Sequence, residues 1–107
     1  MNTLIIDQFN KLINQINAEY LSAQLDKNIK EIELQFYRLK QVKRVLSLIQ
    51  NLDFKITSEN DLKNFTGIGK GTLSRIKEIL ETGELAELKR KYDPNKQKKL
   101  ILFNYLL

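Results

Sequence analysis

The feature that most constrains this chain is the run Thr66-Gly67-Ile68-Gly69-Lys70-Gly71-Thr72, which holds three of its four glycines. A segment with apolar residues at helical spacing ends at Phe65, and another begins at Leu73, so the run predicts a tight corner between two helices. Gly67 and Gly69 reach backbone conformations closed to residues with a Cβ, and they let another group approach the main chain. The helix after the corner offers unpaired N–H groups and the positive end of its dipole, a setting that suits a phosphate. Such a contact reads no bases. The plainer reading of the same residues is a helix-turn-helix corner in which glycine is only a C-cap.

The spacing is more specific than glycine content alone. Leu62, Phe65, Gly67, Ile68 and Gly69 follow the order apolar, two residues, apolar, one residue, then Gly-apolar-Gly. That order reads as a helix-hairpin-helix over about residues 59–81, a device for gripping a nucleic-acid backbone through Gly67, Gly69, Lys70, Gly71 and Thr72.

Charge agrees with a polyanionic partner. The 107 residues carry a formal net charge of +5 and a sequence pI of about 9.5. Between Glu33 and Asp53 there is no acidic residue, while Arg38, Lys40, Lys43 and Arg44 fall in that gap. A second basic cluster is Lys89, Arg90, Lys91, Lys96, Lys98 and Lys99. A solvated helix face explains either cluster equally well unless it faces the hairpin. Cysteine and histidine are both absent, which excludes disulfides, thiol nucleophiles, zinc ribbons and imidazole acid–base chemistry. No apolar run approaches the roughly 18 residues needed to span a bilayer, and the N-terminus has no signal pattern, so the expectation is an intracellular protein with no membrane partner.

Periodicity predicts an all-α fold, a compact bundle of about five to six helices in a single domain over 1–107. From Thr3 to about Ala23, Leu4, Ile5, Phe9, Leu12, Ile13, Ile16 and Tyr20 form one apolar stripe, with Asn10, Lys11, Asn14, Gln15 and Asn17 on the other side. Asp26 is expected to cap a second helix reaching up to Leu52, whose stripe is Ile29, Ile32, Phe36, Leu39, Val42, Leu46 and Ile49. Residues 53–57 read as a connector. Ser58 and Asp61 form a capping box that opens a short helix over 59–65. The helix after the hairpin turns Leu73, Ile76, Ile79 and Leu80 inward and ends at Thr82-Gly83. A further short helix is expected over 84–92, and Asp93-Pro94 restarts the chain into 95–107, whose apolar end needs a cover. That end is expected either to pack back on the core or to meet a following element of a longer chain.

The run from Leu62 to Leu85 resembles the N-terminal small domain of family X DNA polymerases, the polymerase beta type. The hairpin glycines, the helix after them and the ending Glu81-Thr82-Gly83-Glu84-Leu85 carry the likeness, and Arg44-Val45-Leu46-Ser47-Leu48-Ile49 is similar to the family's second helix. The resemblance is strong over about 42–88 and weak before Phe36. It implies a module that binds DNA at gaps or nicks through a 5′-phosphate and continues into the rest of a polymerase chain. It also implies a monovalent cation, Na or K, held by the carbonyls of Lys63, Phe65 and Ile68. DNA contacts would come from Arg38, Lys40, Lys43, Arg44, Lys70 and Arg75 as well as the hairpin backbone.

Many members of that family remove a 5′-deoxyribose phosphate through a lysine imine. Arg75 stands at the matching position, and a guanidinium cannot form that intermediate. Val42 stands where the family has a supporting aromatic, and Gly71 where it has a phosphate-binding lysine. Lys70, Lys77, Lys40 and Lys43 are the amines that could stand in. Three readings follow: a DNA-binding module of a repair polymerase, a lyase with a displaced lysine, and a protein-interaction domain with a purely structural hairpin. Nucleotidyl transfer is not expected within the chain, which has no two-aspartate metal site. The expected molecule is a monomer placed in the nucleus. Asn, Lys and Ile richness suggests an AT-rich, viral source, for which the virion or host cytoplasm replaces the nucleus.

Overall fold

The computed structural model describes residues 2–90, with side chains through Leu88. Helix α1 spans Thr3–Leu25 and α2 spans Ile29–Gln50. A 3-10 turn at Glu59–Leu62 leads to α3, Lys70–Thr82, and to α4, described over Glu87–Arg90. There is no strand among the described residues. The all-α class stands, but among the described residues three α-helices longer than one turn are fewer than the five to six expected. The restart at Asp93-Pro94, the segment 95–107 and the basic residues Lys91, Lys96, Lys98 and Lys99 lie outside the described residues.

One of the expected helices is shorter and another starts later, for local reasons. The 59–65 helix closes after four residues, because the chain turns through i to i+3 bonds, Lys63 N–H to Asn60 C=O at 3.4 Å and Phe65 N–H to Leu62 C=O at 3.0 Å. The 84–92 helix begins at Glu87. Before it, Gly83 adopts φ +87° to end α3, donating to the Ile79 carbonyl at 2.8 Å. The Leu85 N–H then goes to the Gln8 side chain of α1, at 3.1 Å, instead of to a helix carbonyl. In the other direction, α3 starts at Lys70 and not at Leu73.

The cap of α2 also differs from expectation. Asp26 closes α1, its N–H bonded to the Ser22 carbonyl at 3.0 Å, and Lys27 takes a left-handed φ of +54°. That residue turns the chain so that Asn28 enters extended, and the Asn28 side chain accepts the Glu31 N–H at 3.2 Å. With three residues between them, α1 and α2 pack along each other as an antiparallel pair. The Ser58–Asp61 capping box forms as expected. Asp61 accepts from the Thr57 N–H at 3.0 Å, the Ser58 N–H at 3.3 Å and the Thr57 hydroxyl at 3.2 Å. The Thr57 backbone bond leads these in holding its carboxyl below the ordinary aspartate value.

The core sits at one end of the α1–α2 pair. Ile5, Phe9, Leu12 and Ile16 of α1 meet Val42, Val45, Leu46 and Ile49 of α2, and Ile56, Leu62, Ile76, Ile79 and Leu85 close over them. The apolar stripe of α2 is therefore buried only in its second half. Ile29 is 70% exposed and Phe36 58%, because the 3-10 turn and α3 reach only the end of the pair that holds the connector. Phe36 keeps a tilted ring contact with Tyr20, at 6.2 Å between centroids.

A polar clamp holds that connector. The Asn2 side chain donates to the Phe54 carbonyl at 3.0 Å and accepts the buried Ile56 N–H at 2.7 Å, while its own backbone lies at φ +60°. Asn2→Ala leaves the Ile56 N–H without a partner and puts a less tolerant residue in the left-handed region. The expected loss is about 2 kcal/mol of unfolding free energy in a urea titration. Asn2→Asp, which keeps the acceptor, is expected to recover part of it.

Candidate nucleic-acid interface

The hairpin is built by one positive φ and one unfilled helix start. Gly67 lies at φ +91°, where a side chain is strained, so the glycine is required there. Gly69 does not share that reason: at φ −96° and ψ −179° it is ordinary extended backbone. What it contributes is access, since nothing lies within 4 Å of the point its Cβ would occupy. The first bond of α3 runs from the Leu73 N–H to the Gly69 carbonyl at 3.1 Å. Gly69 provides no side-chain cap, and the first turn has no acidic residue. The N–H groups of Lys70, Gly71 and Thr72 thus have no hydrogen-bond partner among the described residues, and a lysine stands beside them.

This arrangement opposes helix stability. A cation at the positive end of a helix dipole is unfavourable, and an uncapped start leaves donors unsatisfied. The starts at Asn28 and Ser58 have the opposite chemistry, each with a side-chain cap and an acidic residue in the first turn. The start of α1 is also uncapped and free of acid, so what sets α3 apart is the lysine in its first turn; there a bound anion would supply what the cap supplies at α2 and at the 3-10 turn.

The tertiary fold brings one basic residue of α2 onto the hairpin. A Cβ on Gly67 would lie 3.5 Å from Nη2 of Arg44 and 3.7 Å from both its Cζ and its Nε. Three near-equal distances mean that the guanidinium lies flat over the glycine. Lys40, Lys43, Arg44, Lys70 and Lys77 are all exposed, and none is in an ion pair among the described residues. Lys40, Lys43 and Arg44 follow one another at steps of three and one on the exposed side of α2, so the cations of that helix lead up to the hairpin.

Arg38 and Arg75 are placed differently. Arg75 Nε donates to Glu87 Oε1 at 2.7 Å. Arg38 Nη1 donates to Gln35 Oε1 at 3.0 Å, with Glu19 Oε2 at 3.8 Å, and its Nη2 stands 4.0 Å from Glu87 Oε2. Both are half-buried in a cluster that joins α1, α2, α3 and α4. Nothing in the sequence signalled Glu87 as its centre. Gln8 was more legible: a polar residue between Ile5 and Leu12 in an apolar stripe marks a buried bond, here the one to Leu85. Val42 is buried in the core.

The carbonyls expected to hold a cation can be tested for free lone pairs. Among the described residues no backbone N–H bonds to the Lys63 or Ile68 carbonyl, and that of Phe65 accepts only a long bond, 3.4 Å, from Ile68. No group of three acidic, His or Cys residues that could hold a metal occurs among the described residues, nor does a helix long and apolar enough to cross a membrane.

No curated protein and no solved structure matches the chain. The family model of the helix-hairpin-helix domain matches residues 1–85, which take in α1, α2, the 3-10 turn, the hairpin and α3. By that match and by the geometry of residues 59–82, the chain belongs to the helix-hairpin-helix domain family.

Proposed function

We propose that this chain is a DNA-binding domain that takes a backbone phosphate at the start of α3. The observation that carries the reading is the uncapped, acid-free turn Lys70–Thr72 with Arg44 laid across Gly67. Arg44 and Lys70 flank that phosphate, Lys43 and Lys40 extend the attraction along α2, and the contact is to backbone rather than bases. The carbonyls of Lys63, Phe65 and Ile68 have lone pairs to offer and suit a monovalent cation of the Na or K type, which would hold the hairpin and add positive charge towards the phosphate.

The likeness to family X DNA polymerases supports a finer assignment: the phosphate is the 5′ end at a gap or nick, and the rest of a repair polymerase adjoins the domain. Binding is favoured over 5′-deoxyribose-phosphate lyase chemistry, because the residue at the imine position is an arginine engaged with a carboxylate. Lys40, Lys43, Lys70 and Lys77 are exposed and lack the enclosure that activates a lysine amine. The test is the affinity of the full chain for gapped duplex with and without a 5′-phosphate. The phosphorylated gap is expected to bind about tenfold tighter, the scale of one charge-assisted contact. Equal affinity for both would reduce the function to general backbone binding, and no affinity for any DNA would overturn the reading.

A further inference from the structure

The Glu87 cluster has a geometry that net charge does not explain. Arg38 and Arg75 face Glu19 and Glu87, so the four side chains sum to zero and add no net attraction for a polyanion. What the cluster fixes is direction. Arg75 lies four residues after Gly71, on the same helix face, and its Nη1 is 3.9 Å from the point a Gly71 Cβ would occupy. Glu87 takes the Nε edge of Arg75, at 2.7 Å, and among the described residues neither Nη group makes a hydrogen bond.

We propose that Glu87 is a positioning residue for phosphate binding: it holds Arg75 by Nε so that the Nη donors stand over the first turn of α3 and close on the phosphate that the Lys70–Thr72 N–H groups take. An unheld arginine samples many rotamers, and fixing one before binding removes an ordering cost from the bound state. Glu87 is itself fixed from two sides. Its second oxygen meets Arg38, and its backbone carbonyl accepts from Gln15 Nε2 of α1 at 3.3 Å. Through Glu87, α4 thereby takes part in the interface. The inference rests on the phosphate reading above.

The experiment measures DNA affinity of the full chain against salt, with a 5′-phosphorylated gapped duplex, for wild type, Arg75→Ala, Glu87→Ala, Glu87→Gln and the double variant Arg75→Ala/Glu87→Ala, each checked for folding by its helical signal. Arg75→Ala is expected to weaken binding about tenfold and to flatten the salt slope by about 0.9, one phosphate contact. Glu87→Ala is expected to do the same although it removes a negative charge, and the double variant is expected to be no weaker than Arg75→Ala. Glu87→Gln, which keeps an acceptor oxygen, is expected to stay within about threefold of wild type. Tighter binding by Glu87→Ala or by Glu87→Gln would overturn the proposal, since the carboxylate would then act only by repulsion. Additive losses in the double variant would overturn it too. If Glu87→Ala fails to fold, Glu87→Gln and Arg75→Ala decide by the same signs. A wild type that does not bind DNA defeats the phosphate reading itself, whereas a wild type that binds with an unchanged slope in Arg75→Ala defeats the positioning role alone.

Discussion

Reversing both hairpin cations, Arg44→Glu with Lys70→Glu, is expected to weaken DNA affinity by about a hundredfold at moderate salt and to flatten the salt slope by about 2. Each lysine or arginine that neutralises a phosphate releases a condensed counterion, so the slope counts contacts while the affinity records their strength. Glutamate at position 70 also places an anion on the N–H groups that the phosphate needs, an intramolecular competitor that alanine would not provide. Folding is expected to survive. Both side chains are exposed and outside ion pairs among the described residues, and an acidic first turn favours α3 as a helix. Lys30→Glu is the matched control. It changes the same charge at the far end of α2, fourteen residues and about 21 Å from Arg44, beyond screening distance at physiological salt. If Lys30→Glu weakened binding as much as Arg44→Glu does alone, net charge and not the hairpin would be the determinant.

A large loss of stability is expected at Leu62. Its side chain is fully buried, and it stands where the 3-10 turn hands the chain to the hairpin, with its carbonyl accepting the Phe65 N–H. Leu62→Ala removes the packing of that turn on α3 and leaves a cavity that the surrounding helices cannot close, at about 3 kcal/mol. In a domain of this size that lowers Tm by roughly 15 °C, read by thermal or urea unfolding. Leu34→Ala is the contrast, a residue of the same type that is 50% exposed on α2, with an expected change below about 0.5 kcal/mol. Equal effects at the two sites would mean that the core does not end where the buried residues place it.

The long helices were legible because their apolar residues repeat at three and four, and the turn at Gly67 was legible because few residues other than glycine fit there. The stripe of α2 shows the limit of that kind of reading. Ile29 and Phe36 have the same period as Val42 and Ile49, yet only the latter pair is buried. Periodicity says which face of a helix is apolar but not how far along it a neighbour extends. Caps failed in a related way at Asp26: Asp and Asn cap equally well, and the choice went to Asn28 because Lys27 took the left-handed turn.

By itself the sequence determined the all-helical class and the place of the hairpin, since each depends on residues within one or two turns of one another, while the start of α3 came one turn earlier than the apolar spacing placed it. The tertiary structure alone decided what the charges do. Arg44 and Arg38 stand in the same basic run, but one lies over Gly67 and the other is turned to Glu19 and Glu87. Asn2 and Gln8 became clamps because the connector and Leu85 arrive beside them from more than fifty residues away. A hydrogen bond or an ion pair depends on distance through space, and only packing of the helices sets that distance.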